Sequence, residues 1–231
     1  LADHTKTPRR PVFHGRRRGK RLRQRSQDLL TALLPRLAVA RPAAEGHLDP
    51  RSLFETPLRA VWLEVGFGGG EHAAEQAAAN PDVGILASEV FVNGVASLLN
   101  HCDRMALRNI RIFADDVRHL FPALPDACAE KIFVLFPDPW PKTRHAERRF
   151  IGPDNMPQLS RLLIDGGELR VASDDPTYIG WALGQLGSYP DFELTVSRGL
   201  RPEGWPPTRY EAKAIKAGRE CVYMSARRRP R

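Results

Sequence analysis

The feature that most constrains this chain is a rhythm of short apolar runs. Stretches rich in Val, Ile, Leu and Phe recur at AVWLEVG (60–66), GILASEV (84–90), NIRIF (109–113), KIFVLF (131–136) and GELRVAS (167–173). Segments of helical character lie between them, namely EHAAEQAAAN, NGVASLLNHCDRMAL, NMPQLSRLLI and TYIGWALGQL. Strand alternating with helix implies βαβ units and a parallel sheet covered on both faces. Two later runs, FELTVSR (192–198) and ECVYMSA (220–226), have no helix of useful length between them. They are expected to pair antiparallel through a long loop at 199–219.

At 231 residues the chain suits one domain, or one domain with tails, and can bury a sizeable core. Its formal charge of +8 is concentrated at the ends. Residues 1–23 hold nine Lys or Arg against one Asp, whereas residues 24–226 hold 22 basic and 26 acidic side chains. The segment RRPVFHGRRRGKRLR lacks helical or strand periodicity and cannot fold alone. We therefore expect residues 1–35 to be a basic, largely flexible arm and residues 36–231 to be the folded domain. Such an arm neutralises nucleic-acid phosphates, with an anionic membrane surface as the rival partner. Cys102, Cys128 and Cys221 form no CxxC pair, which fits a reduced, cytoplasmic setting. No HExxH or Cys/His cluster is present, so no metal site is expected. The short apolar runs and charged N-terminal residues argue against a membrane span or secretory signal.

Five β/α units followed by a terminal hairpin resemble the sheet of the class I S-adenosylmethionine-dependent methyltransferases, a Rossmann-like α/β fold. In that fold seven strands are mostly parallel and a C-terminal antiparallel strand inserts beside them. LEVGFGGGEH (63–72) would follow the first strand and open the first helix. Its glycines allow a sharp turn and close approach to a ligand. A dinucleotide fingerprint would need Gly where Glu71 stands, and a helix N-terminus open to pyrophosphate. S-adenosylmethionine carries no phosphate, so Glu64 before Gly66 and Gly68 is compatible with it. Glu89 ends the second strand, where a carboxylate accepts hydrogen bonds from both ribose hydroxyls. Asp115 and Asp116 end the third, near the expected place of the adenine amino group. The structural alternatives are that Glu89 and Asp116 cap the following helices and that the glycines only serve a turn.

The fourth strand runs into FPDPWPKTRH (136–145), with ERRF close behind. Pro137, Pro139 and Pro141 restrict the backbone around Asp138 and Trp140. This stretch resembles the D-P-P-Y type motif of amino-methyltransferases, but one proline is missing. It is more similar to the bacterial tRNA (guanine-N7-)-methyltransferases, whose F-x-DPW-x-K-x-RH pattern is met by Phe136, Asp138, Pro139, Trp140, Lys142, Arg144 and His145, followed by Arg148 and Arg149. The resemblance extends through SEVFVNGVASLL, RVASDDPTY and PPTRYEAKA, covering about residues 60–226. Tyr210 stands where the family usually has Phe, Arg209 where Lys is common, and Glu147 where a basic residue is frequent.

The resemblance implies an enzyme that moves a methyl group from S-adenosyl-L-methionine to N7 of a variable-loop guanosine in tRNA. It makes Asp138 the catalytic carboxylate or a holder of the cofactor's aminoacyl end, with Glu64, Gly66, Gly68, Glu89 and Asp116 as the other cofactor residues. Lys142, Arg144, Arg148 and Arg149 would hold the tRNA backbone. Asp174 and the element Thr208, Arg209, Tyr210, Glu211 would line the substrate side. Methylation of another base atom, a non-catalytic RNA-binding protein and a dinucleotide-dependent oxidoreductase are the alternative readings. The implied partner is tRNA, the implied state a monomer or homodimer. Deleting residues 1–23 is expected to weaken tRNA binding and flatten its salt dependence while leaving cofactor affinity unchanged.

Overall fold

The computed structural model describes Phe13 and residues 15–43 and 46–231. Its elements in chain order are α1 (Gln24–Ala32), α2 (Leu34–Leu37), β1 (Ala60–Val65), α3 (Glu71–Ala79), β2 (Val83–Ser88), α4 (Val92–Met105), β3 (Ile110–Phe113), β4 (Ala129–Leu135), α5 (Met156–Leu162), β5 (Leu163–Ser173), α6 (Pro176–Ser188), β6 (Phe192–Arg198), α7 (Arg209–Lys216) and β7 (Val222–Arg228). The seven strands form one sheet in the order β3-β2-β1-β4-β5-β7-β6. β1 to β5 are parallel, and β7 inserts antiparallel between β5 and β6.

β1, β2 and β3 read as almost unbroken apolar runs because both faces are covered. Along β1, Val61 and Leu63 enter the core shared with α5 and α6, while Ala60 and Trp62 enter the core beneath α3 and α4. Ile132 and Val134 of β4 face the first core and Phe133 the second. Strand order reverses between β1 and β4, which opens a crevice at their C-terminal ends.

Two expectations change. Residues 24–32 and 34–35, assigned to the flexible arm, are helical, and Leu29, Leu30, Leu33 and Leu34 pack against the core beneath α3 and α4. Arg25 pairs with Asp103 at 2.8 Å and Asn100 donates to Ser26 Oγ at 3.1 Å, fastening α1 to α4. The link between β6 and β7 contains a helix after all. Thr208 Oγ1 accepts from the Glu211 amide at 3.0 Å and the Glu211 carboxylate accepts from the Thr208 amide at 3.3 Å, a reciprocal cap that nucleates α7.

Candidate active site

The C-terminal ends of β1 to β4 surround a cavity of about 820 Å³. Gly66, Gly68, Glu89, Asp116, Asp138 and Tyr210 all line it. Gly66 (φ 67°) and Gly68 (φ 57°) occupy left-handed conformations that other residues adopt only under strain. The turn is held to the neighbouring strand by the Gly66 amide, which donates to the Ser88 carbonyl at 2.8 Å. A Cβ at Gly94 would lie 2.2 Å from the Gly68 carbonyl oxygen, so the first turn of α4 fits this loop only as glycine. Gly94 was missed from sequence, because no spacing connects it to the glycine motif.

The Glu89 carboxylate accepts from the backbone amides of Gly68, Val90 and Phe91 at 2.8, 2.8 and 2.9 Å. Burial raises its pKa, opposed by those three bonds and reinforced by the charge of Asp138. Asp116 caps the short helical turn after β3, accepting from the Arg118 amide at 3.0 Å and from the Arg118 guanidinium at 2.6 Å. Its side chain thus has the capping role weighed for it, within the cavity wall. Glu64 is placed elsewhere: 3% exposed, it turns to the α3 side, pairs with His72 at 2.8 Å and does not line the cavity.

The β4 loop carries two non-glycine residues in the left-handed region, Phe136 (φ 49°) and Trp140 (φ 42°). Such strain persists where the surroundings over-determine the backbone. Between them Asp138 is exposed and lines the cavity. Arg149 supplies much of the bracing. It donates to the carbonyls of Pro139 (3.1 Å) and Trp140 (3.0 Å), stacks 5.0 Å over the Trp181 ring and is only 6% exposed. The expectation that it binds a tRNA phosphate is corrected by this inward turn, since the side chain is buried and its Nε and Nη2 donate to the loop. Arg148 lies 5.0 Å over the Trp140 ring and lines the cavity, while Lys142 and Arg144 are exposed.

The late element is split by the helical twist of α7. Tyr210 lines the cavity and faces Phe136, ring centroids 6.4 Å apart and planes within 20°. Burial raises the pKa of its phenol. Arg209 reaches the Glu71 carboxylate at the first turn of α3, with Nε at 2.6 Å. Thr208 and Glu211 point the other way. Glu211 is buried and accepts from the Tyr223 hydroxyl and from Arg201. Asp174 also stands outside the cavity, paired with Arg219 at 2.6 Å.

Comparison with known proteins places this geometry. A family model described as "Putative methyltransferase" matches residues 59–224. The tRNA (guanine-N(7)-)-methyltransferase of Paramagnetospirillum magneticum is 54% identical over 226 residues, covering 96% of this chain and 94% of that protein. The protein of the same name from Rhodospirillum rubrum is 52% identical, covering 95% and 88%. That of Granulibacter bethesdensis is 45% identical, covering 99% and 100%. The chain belongs to the bacterial tRNA (guanine-N7-)-methyltransferase family. Among solved structures, the 16S rRNA methyltransferase KamB superposes with a TM-score of 0.59 at 16% identity, covering 83% of this chain and 99% of that one. This likeness shows the shared Rossmann-like methyltransferase fold.

In this member of the tRNA (guanine-N7-)-methyltransferase family the basic arm reaches the site. Arg17 offers its carbonyl to the Val92 amide (3.0 Å), an otherwise unpartnered donor at the start of α4. The Gly19 amide donates to Asn93 Oδ1 and Asn93 Nδ2 donates to the Lys20 carbonyl, both at 2.7 Å. Phe13, Gly15 and Arg16 consequently line the cavity. Asp115 faces Arg17 (3.6 Å), Arg41 (3.5 Å) and His119 (3.3 Å). Burial acts to raise its pKa, but the Asp116 amide, His119 and Arg17 outweigh it and hold the carboxyl below its ordinary value.

Proposed function

We propose that the protein transfers a methyl group from S-adenosyl-L-methionine to N7 of a variable-loop guanosine in tRNA, in the cytoplasm. The observation that carries this reading is the convergence of Asp138 with Gly66, Gly68 and Glu89 on one cavity, in a chain of this family. The donor set fits the cofactor. The first turn of α3 presents Glu71 with Arg209 bound to it, which disfavours a pyrophosphate there. The acidic residues on the wall suit a ligand with a cationic sulfonium. A carboxylate offers about four acceptor positions, so Glu89 with three backbone bonds retains one for a ribose hydroxyl. Gly66, Gly68, Glu89, the backbone at Asp116 and Asp138 would hold the cofactor. When bound, it supplies a methyl group activated by positively charged sulfur.

Guanine N7 carries an in-plane lone pair, so the protein needs no strong base to remove a proton. Its task is to hold N7 in line with the methyl carbon and to meet the positive charge that arrives on the base as the sulfur–carbon bond breaks. Asp138 places a carboxylate for that charge, fixed by the strained Phe136 and Trp140 backbone and the Arg149 brace. Lys142 and Arg144 face solvent on the rim and would take tRNA phosphates. The protein would do this as a monomer or homodimer. Among the described residues no helix is long and apolar enough to cross a membrane.

The test is incubation with labelled cofactor and tRNA lacking 7-methylguanosine, followed by nucleoside analysis. Label in 7-methylguanosine is expected, whereas label confined to another nucleoside would transfer the reading to a different base atom.

A further inference from the structure

His72 and Gln76 are buried one turn apart on α3, and Asn80 follows four residues later as the helix's C-terminal cap, a polar row where a helix ordinarily buries apolar side chains. His72 is 4% and Gln76 5% exposed; His72 lies against Glu64, itself 3% exposed, and Gln76 against the other side of the His72 ring. Burying such a row is costly unless its polar groups are partnered.

The hydrogen-bond directions follow from one fixed point. The Gln76 backbone carbonyl only accepts, and Asn80 Nδ2 lies 2.8 Å from it, so the Asn80 amide orientation is set. The same Nδ2 donates to Gln76 Oε1 at 3.3 Å, which turns Gln76 Nε2 toward the imidazole. At 3.4 Å that Nε2 donates to His72 Nε2, which must therefore carry a lone pair. The ring proton is left on Nδ1 and donates to Glu64 Oε2 at 2.8 Å. Phe133 packs edge-on against the imidazole at 4.7 Å and holds the ring in place.

We propose that His72 is a positioning residue for the methyl donor: through this relay it holds the Glu64 carboxylate, as an acceptor, at the base of the glycine loop, where its charge favours the cationic donor over its neutral product. Glu64 and His72 bracket the loop, lying in β1 and in the first turn of α3. The relay therefore fixes the charge and the loop together. The proposal rests on the reading of the cavity as the S-adenosylmethionine site and adds a residue outside its wall.

Calorimetric titration separates the possibilities, with S-adenosylmethionine, S-adenosylhomocysteine and tRNA as three ligands. His72→Leu is expected to weaken S-adenosylmethionine binding about tenfold and S-adenosylhomocysteine at most about threefold, because only the former carries the sulfonium charge. Binding of tRNA should be unchanged, and His72→Asn, whose amide replaces the Nδ1 donor, should restore most of the loss. Equal losses for both ligands, or none, overturn the proposal. Should His72→Leu show no cooperative melt, Glu64→Gln decides by the same comparison. If the wild type binds neither small ligand, the cofactor reading itself falls and this proposal with it.

Discussion

Asp138 is an exposed carboxylate on an otherwise immobilised loop, and its neighbours are what make that useful. Left-handed backbone at Phe136 and Trp140, two prolines and the buried Arg149 leave it few ways to move. The roles of nearby cations can be separated by experiment. Arg149→Met should destabilise the protein by roughly 2–3 kcal/mol in urea unfolding, because charged hydrogen bonds are lost and carbonyls are left unpaired. It should lower turnover without changing the salt slope of tRNA binding. Lys142→Ala and Arg144→Ala should do the reverse, leaving stability unchanged and reducing that slope by about one each. A flattened slope in Arg149→Met would show that its guanidinium leaves the loop to meet RNA.

Among elements, α7 and the arm extend the site beyond the five β/α units. Thr208→Ala should cost about 1 kcal/mol of stability by removing the cap of α7. With Tyr210 then less firmly placed, turnover should fall, and an unchanged urea midpoint would show that the cap is dispensable. The arm's contacts revise the expectation formed from sequence. Since Phe13, Gly15 and Arg16 line the cavity, deleting residues 1–23 should weaken cofactor affinity as well as tRNA binding. Asn93→Ala, which removes the fastening at Gly19 and Lys20, should reproduce the cofactor effect in calorimetry without the change in salt slope. Unaltered cofactor affinity in both variants would make the arm's contact with the cavity incidental.

The ease of reading each element follows from what it buries. Strands β1 to β3 were legible because burial on both faces makes their sequences nearly continuously apolar, and β4 and β5 through their buried C-terminal halves. α7 was not, because it is short, only Glu211 and Ala214 are buried, and its Ile215 is exposed. Its signal was the Thr208-to-Glu211 capping box, which the motif reading took as substrate contact. The positions of α1 and α2 were obscured by their basic neighbours, although Leu29 and Leu30 of α1, Leu33 at the junction and Leu34 of α2 pack on the core. Gly66 and Gly68 of the glycine motif and Asp138 and Trp140 of the D-P-W motif line one cavity. Charge in a sequence does not say which side chain turns inward, and so Arg149 and Glu64 needed coordinates.

For the whole molecule, one sheet gathers these parts at one end. The strand-order reversal between β1 and β4 opens the crevice, the acidic body provides the walls for a cationic donor, and a basic rim and arm meet a polyanion. The central claim is that the β4 loop carries the chemistry at this crevice. Its most direct test is single-turnover methyl transfer to N7 of tRNA guanosine by wild type and Asp138→Asn, with cofactor and tRNA binding measured in parallel. The account predicts 7-methylguanosine from the wild type and a rate reduced about 100- to 1,000-fold in the variant, with tRNA affinity preserved. An Asp138→Asn enzyme that methylates N7 at the wild-type rate would contradict it.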